Sequence, residues 1–356
     1  MGEIDILYQD KMNEECGVFG VINVSNASEV MYYGLHALQH RGQEGCGIIT
    51  TDHRRFFSLK GEGLVNEIFN EQNLSNLKGN TAIGHVRYST SGGGGIENVQ
   101  PFHFRHHTGD FGLCHNGNIV NSKELRRYLE IQGSIFQSTS DTEIFAHLIK
   151  KDTQTNRLEA IKNALNRLEG AFAFLAMSRD KLYIMRDKNS LRPLSLAKLN
   201  GGYVVSSETC AFEIVGATFI RDILPGEIVI INEEGEIYSD FYAQKTYKNM
   251  CAMEYIYFSR PDSDLEGMNV HASRKEAGRL LAKESPVDAD VVVFVPDSST
   301  SAALGFSEQT GIPLEMGLIK NKYVGRTFIQ PSQAMREKGV KMKLSPVRSI
   351  VENKCV

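Results

Sequence analysis

No stretch of this 356-residue chain approaches the ~20 apolar residues of a membrane-spanning helix, so a soluble protein is expected. Also missing are any C-x-x-C pair and any dense cysteine framework. The six cysteines (Cys16, Cys46, Cys114, Cys210, Cys251 and Cys355) are widely scattered, which argues against a secreted disulfide scaffold and for a reducing, cytoplasmic setting. The first fifteen residues contain Glu3, Asp5, Asp10, Glu14 and Glu15 and no useful apolar core, so they do not read as a secretory signal. Myristoylation after Met1-Gly2 would want Ser or Thr where Ile6 stands. A net charge of −4 gives no general pull toward nucleic acid. There is no internal repeat, and the one low-complexity segment is Gly92-Gly93-Gly94-Gly95.

What is present is the composition of an ordinary soluble enzyme, with 41% hydrophobic and 23% charged residues and a length that allows two or three domains. From Cys16 to about Ile231, short apolar strands alternate with amphipathic helices, which suggests two layers of sheet with outer helices. Ala171–Ala176, Lys181–Met185 and Gly202–Ser206 are spaced as an antiparallel meander. The Leu224-Pro225-Gly226-Glu227-Ile228 turn should begin a late strand, and the polar stretch from Asn232 to Asn249 reads as a closing strand and a connection. A second rhythm follows. The apolar run Val291–Val295, the loop Pro296-Asp297-Ser298-Ser299-Thr300 and a helix from about Ser301 suggest an α/β parallel sheet.

Cys16 precedes the β-like run Gly17-Val18-Phe19-Gly20. Taken alone, a buried strand cysteine is the favoured reading. The other reading is a nucleophile that works only as the N-terminus, because a free α-amine titrates near 7.7–8.0 and can act as base toward its own thiol. Arg87, in Gly84-His85-Val86-Arg87-Tyr88, ends a strand beside the four-glycine loop and suits bidentate capture of a carboxylate. Leu113-Cys114-His115-Asn116-Gly117-Asn118 contains an Asn-Gly step between apolar residues, a hairpin signal, and the Asn116 amide with the Gly117 N–H could form an oxyanion hole. Ser140 and Glu143 are spaced as a capping box. Asp141, between them, either complements a helix dipole or pairs with a substrate ammonium.

Thiol, oxyanion pair, carboxylate clamp and ammonium partner are the inventory for hydrolysing the amide of free glutamine. Those segments, with Leu38-Gln39-His40-Arg41-Gly42-Gln43-Glu44, resemble the class II glutamine amidotransferases. The continuation Cys251-Ala252-Met253-Glu254-Tyr255-Ile256-Tyr257-Phe258-Ser259-Arg260-Pro261-Asp262-Ser263 is similar to the amidophosphoribosyltransferases among them. The resemblance implies a propeptide over 1–15, an N-terminal nucleophile hydrolase domain over 16–248 built as an α+β, four-layer αββα sandwich, and a partial α/β type I phosphoribosyltransferase domain over 249–356. It implies that ammonia from glutamine passes to phosphoribosyl pyrophosphate to give phosphoribosylamine for purine synthesis. Carried over by motif, Cys16 is the nucleophile, Asn116 and Gly117 the oxyanion hole, Arg87 and Asp141 the clamps on glutamine, and Arg41 an organiser of the pocket. Purine nucleotide inhibitors and a homo-oligomer are implied as well, and neither nucleic acid nor a membrane is expected as a partner.

In the second domain the resemblance makes Ser298 a candidate Mg²⁺ ligand. Lys320-Asn321-Lys322-Tyr323-Val324-Gly325-Arg326-Thr327 matches a loop that closes over the phosphoribosyl substrate, with Lys320, Tyr323 and Arg326 as candidate contacts. From Lys320 to Arg348 there are eight Lys or Arg and one acid, so this segment carries +7 against −11 for the rest, which suits a polyanionic substrate. Family members continue past the match to Val356 into a further strand and an acidic loop, so a C-terminal truncation with crippled transferase chemistry is expected. Cys251 matches one ligand of the 4Fe–4S cluster of one branch, and a cluster needing four thiolates is not expected to assemble. The alternative from another class is a noncatalytic glutamine sensor on the same fold.

Overall fold

The computed structural model describes residues 16–88, 94–107, 109–152, 156–321 and 341–356. Among these the chain divides into two compact units, the first running to Glu254 and including Asp264–Glu266, the second formed by Tyr255–Ser263 and Gly267–Val356.

The first unit contains strands β1 (Gly17–Ile22), β2 (Gly45–Thr51), β3 (Phe56–Gly61), β4 (Thr81–Arg87), β5 (Phe102–Phe104), β6 (Phe111–Ile119), β7 (Gly170–Met177), β8 (Lys181–Arg186), β9 (Ser195–Leu199), β10 (Gly202–Ser206), β11 (Thr218–Asp222), β12 (Glu227–Asn232) and β13 (Ile237–Phe241). They form a seven-stranded sheet in the order β11-β9-β10-β1-β4-β2-β3 and a six-stranded sheet in the order β13-β12-β8-β7-β6-β5. Helices α1 (Ala27–Ala37), α2 (Val65–Ile68), α3 (Glu71–Leu74), α4 (Ser122–Ile131), α5 (Thr142–Lys151), α6 (Arg157–Arg167) and α7 (Cys210–Val215) belong to the same unit.

Side-chain alternation along a strand sorts the apolar residues into three layers. On β1, Phe19 and Val21 join Met31 and Leu35 of α1 and Phe212 of α7 on the outer face. Val18 and Ile22 point the other way and meet Leu175, Leu182 and Ile184 of the six-stranded sheet. The far face of that sheet packs Phe172 and Phe174 against Leu129 of α4, Phe145 of α5 and Ile161 of α6. The result is the αββα sandwich that the resemblance implies, and covering both faces of each sheet explains why strands such as β1 are buried throughout. Gly34 permits the closest approach of α1, since a Cβ there would run into the Phe19 ring.

Three expectations need correction. β7 and β8 pair as an antiparallel hairpin, but Gly202–Ser206 is not the third strand of that meander. It pairs with β9 and β1 in the other sheet, and because this strand is covered on both faces its apolar pattern carries no label of layer. Nor does Asn116-Gly117 turn a hairpin. β6 runs straight through it, pairing with β7 from Gly112 to Ile119, and this long ladder outweighs the local turn preference. The Asn-Gly step that does turn is Asn200-Gly201, with φ of 47° and 86°, the two positive values a tight hairpin demands. The strand expected over Val291–Val295 is paired only at Val292–Val293, parallel to Leu314–Glu315. The strand expected after Pro225-Gly226 is β12, and β13 follows.

In the second unit, helices α8 (Val270–Glu284) and α9 (Thr300–Thr310) pack through Gly278 and Gly305. A Cβ on either would strike a carbonyl of the facing helix, Ala302 O or Lys275 O.

Candidate functional site

Cys16 stands immediately before β1, which lies between β10 and β4 in the seven-stranded sheet. Its half-buried Sγ sits 3.4 Å from both the amide N and the carbonyl O of Tyr88, just past the end of β4. The Arg41 Nε donates to the Cys16 carbonyl at 2.9 Å. Arg41 is fully buried, and its Nη1 donates to Glu208 Oε1 at 2.7 Å and to Glu254 Oε2 at 2.9 Å. Its Nη2 donates to Glu254 Oε1 at 2.8 Å. Burial opposes charge on Arg41, but Glu254 and Glu208 outweigh it and hold the pKa above the ordinary value. Burial likewise opposes charge on Glu208, which His40 and Arg41 hold well below the usual carboxylate range. The backbone carrying Cys16 is therefore tied to an ionised buried network.

Asn116 and Gly117 arrive from the other sheet. The Asn116 amide is wholly buried, its Nδ2 donates to Ser207 Oγ at 3.5 Å, and its Oδ1 has no partner among the described residues. Ser207 Oγ also accepts from the Val18 N–H at 3.0 Å, so one hydroxyl bridges β1 and β6. Gly117 has φ 144°, and a Cβ there would overlap Ala171 O. Gly117→Ala is expected to destabilise the protein by at least about 2 kcal/mol, from backbone strain and displacement of β7. Chemical denaturation compared with wild type checks this, and an unchanged midpoint would contradict it.

Arg87 closes β4, is buried, and directs Nη1 toward Gly95 O at 3.4 Å. The loop beside it at 89–93 lies outside the described residues. Asp141 is the residue before α5, with no side-chain cap bond of its own. Its Oδ2 accepts from the Ile119 N–H at 2.9 Å and its Oδ1 lies 3.6 Å from His115 Nδ1. Burial raises the Asp141 pKa, but His115 and the Ile119 and Thr142 N–H groups overcome it and keep the carboxyl below its ordinary value. The expected Ser140–Glu143 capping box is not formed. Glu143 turns back to accept from the Gln137 and Ser138 N–H groups and from Ser138 Oγ, because its buried carboxylate finds three donors there. Burial opposes its charge, yet His147 and Ser138 bring its pKa down to about 2.

Cys16, Arg87, Gly117 and Asp141 line one cleft of about 320 Å³, together with Tyr88, Asn98, Gln100, His115 and Ser140. Sequence reasoning missed these last five as site residues. Tyr88, His115 and Ser140 lie inside the motifs described above, whereas Asn98 and Gln100 carry no signal of their own. Gln100 Oε1 accepts from the His115 N–H at 2.8 Å and its Nε2 donates to Thr142 Oγ1 at 3.1 Å, tying that loop to β6 and α5. His85 donates from Nε2 to the His115 carbonyl at 3.0 Å. Burial, His115 and Arg87 push His85 down to about 3, so this histidine stays neutral beneath the cleft.

In the second unit Ser298 lies in the turn before α9, whose N-cap residue is Ser299. Lys320 Nζ pairs with Asp297 Oδ2 at 2.6 Å. Tyr323 and Arg326 lie outside the described residues. In the first unit the half-buried Cys251 donates its N–H to Leu191 O at 3.2 Å. Among the described residues no group of three His, Cys, Asp or Glu could hold a metal ion. Among the described residues Cys251 is thus not part of a four-thiolate group.

A family described as a glutamine amidotransferase domain matches residues 85–213. The amidophosphoribosyltransferase of Bacillus subtilis is 57% identical over 346 residues, 97% of this chain and 72% of that protein. That of Staphylococcus epidermidis is 51% identical over 345 residues, covering 96% and 70%. The solved structure of the B. subtilis glutamine phosphoribosylpyrophosphate amidotransferase with ADP and GMP superposes with a TM-score of 0.89 at 56% identity, over 95% of this chain and 74% of that one.

Proposed function

The chain belongs to the amidophosphoribosyltransferase family of glutamine amidotransferases, and from that premise we propose that it hydrolyses glutamine at Cys16 and uses the ammonia to aminate phosphoribosyl pyrophosphate. The product is 5-phosphoribosylamine, the first committed intermediate of purine synthesis. The observation that carries the reading is the convergence of Cys16, Arg87, Gly117 and Asp141 on one cleft.

The chemistry follows from what each group can do. Once residues 1–15 are removed, the Cys16 α-amine takes the thiol proton and the sulfur attacks the side-chain amide carbon of glutamine. The Asn116 amide and the Gly117 N–H receive the oxyanion, ammonia leaves with the transferred proton, and water cleaves the thioester to glutamate. Arg87 suits the α-carboxylate of glutamine because its guanidinium offers two parallel donors. Asp141, held ionised by its surroundings, suits the α-ammonium. Arg41 fixes the Cys16 carbonyl and with it the direction of the new N-terminus.

In the second unit, Ser298 and Lys320 are the proposed contacts to the phosphoribosyl substrate, with Tyr323 and Arg326 on the loop beyond. Mg²⁺ would arrive with the pyrophosphate and neutralise its charge. Purine nucleotides are the proposed inhibitors, by analogy with the ADP and GMP in the B. subtilis complex. No helix among the described residues is long and apolar enough to cross a membrane, and a cytoplasmic homo-oligomer is the proposed form.

The test is to supply glutamine, Mg²⁺ and phosphoribosyl pyrophosphate and to measure glutamate and trapped phosphoribosylamine. Absence of glutamate from protein whose N-terminus is Cys16 would refute the reading. Asp141→Asn keeps an oxygen for the Ile119 N–H but loses the charge. It is expected to raise the glutamine KM by about 10–100-fold with a smaller change in kcat, the loss of one buried ion pair to substrate. Steady-state kinetics check it.

A further inference from the structure

Ser207 lies where β1, β6 and the end of β10 meet. It is wholly buried and follows β10 directly. Its N–H donates to Val18 O at 3.0 Å, and its Oγ accepts from the Val18 N–H at 3.0 Å. The side chain thus extends the pairing of β10 with β1 one step beyond Ser206 and Phe19, close to Cys16 in the chain. Asn116 approaches from β6. Cys114, on the same face of that strand, turns its thiol to Gly84 O of β4 at 3.7 Å, so by strand alternation the Asn116 amide also faces the sheet that Cys16 leads into.

The hydrogens around Ser207 are mismatched. A serine hydroxyl has one hydrogen and two lone pairs, and a carboxamide has one accepting and one donating end. With Asn116 Nδ2 toward Ser207 at 3.5 Å, Oγ accepts from both neighbours and donates to no described residue, while Asn116 Oδ1 finds no donor among them. Both groups are buried, and a buried polar group without a partner is destabilising. One half-turn of the amide satisfies both. Ser207 O–H then donates to Oδ1, and Nδ2 moves to the pole where no donor meets it.

We propose that Ser207 is a positioning residue for the oxyanion hole: its hydroxyl hydrogen selects the orientation of Asn116 in which Oδ1 faces Ser207 and Nδ2 is left for the oxyanion. The proposal rests on the oxyanion role given to Asn116 above. The Val18 N–H holds one lone pair of Oγ, so the hydroxyl hydrogen is free for the amide. Orientation decides whether Asn116 helps, since a donor stabilises the developing negative charge and an oxygen in its place repels it.

The test uses protein whose N-terminus is Cys16 and measures glutamine kcat and KM, together with the rate at which iodoacetamide alkylates Cys16, mapped by mass spectrometry. Ser207→Ala is expected to lower kcat about 10-fold with KM little changed, the kinetic equivalent of one hydrogen bond felt in the transition state. Asn116→Ala should lower kcat by about 100-fold or more. The double variant should fall no further, because an absent amide needs no orienting. Ser207→Thr keeps the hydroxyl and should recover most of the loss. Alkylation of Cys16 should keep its wild-type rate in Ser207→Ala, whereas a serine that acted only by bracing β1 would change it. Losses that multiply in the double variant, altered alkylation in Ser207→Ala, or wild-type kcat in Ser207→Ala beside an impaired Asn116→Ala would overturn the proposal and leave the oxyanion assignment standing. Wild-type kcat in Asn116→Ala would refute that assignment, and this proposal with it. Should Ser207→Ala not fold, Ser207→Cys takes its place, since a thiol is only a weak donor, and the same non-additivity decides.

Discussion

Replacement of Cys16 by alanine is expected to lower glutamine hydrolysis by at least about 10⁴-fold, because the proposed mechanism makes the thiol sulfur the bond-forming atom. Arg87 and Asp141 sit on other elements and keep their hydrogen bonds, and the small half-buried Cys16 side chain leaves no large void. Glutamine affinity should therefore change little, which calorimetric titration of the variant measures directly. The same logic fixes a pH profile. The α-amine must be neutral to accept the thiol proton, so kcat/KM should rise through about 7.7–8.0, the ordinary range of that group, and acetylating the terminus should remove turnover. Glutamate release by Cys16→Ala at the wild-type rate would refute the nucleophile assignment. A wild-type protein that binds glutamine but never turns it over would instead favour the sensor reading.

How much of this was legible depended on how local each signal was. β1 could be read from its apolar run, β12 from the Pro225-Gly226 turn, and α9 from the break at Pro296. The layer to which a strand belongs is a property of its partners, so spacing alone sets Gly202–Ser206 beside β8 although it pairs with β1. Asn116-Gly117 and Asn200-Gly201 are the same dipeptide. Only the second turns, because only the first is embedded in an eight-residue ladder. Within the cleft, Cys16, Arg87, Gly117 and Asp141 came from motifs that each carry a recognisable chemistry. Asn98 and Gln100 came from a segment whose role is set by what it touches, a Thr139 and a His115 far along the chain. The anchoring of Arg41 was equally invisible, since Glu208 and Glu254 lie 167 and 213 residues away.

That anchor supports the second large effect. Arg41→Met is expected to destabilise the first unit by about 3–5 kcal/mol, the usual consequence of removing one partner from a buried ion network. Methionine fills much of the volume, so the loss is electrostatic. Glu208 would retain His40 at 2.7 Å, and Glu254 would retain Arg192 at 3.3 Å, but neither arrangement replaces the paired guanidinium. The pH dependence distinguishes this from a packing defect. In wild type both carboxylates are held below their ordinary values. Their contribution is therefore complete above the unfolded pKa near 4.3 and is lost as pH falls below it. In Arg41→Met their folded pKa values rise, so the deficit relative to wild type should be greatest at neutral pH and shrink toward pH 4. Urea unfolding between pH 4 and 8, with amide-exchange protection of β1 as the local readout, checks both statements. Adding Glu208→Gln and Glu254→Gln should recover part of the stability by removing the stranded charges. It should not restore glutamine turnover, because the Cys16 carbonyl still lacks its Nε donor. A deficit independent of pH would assign Arg41 to packing alone.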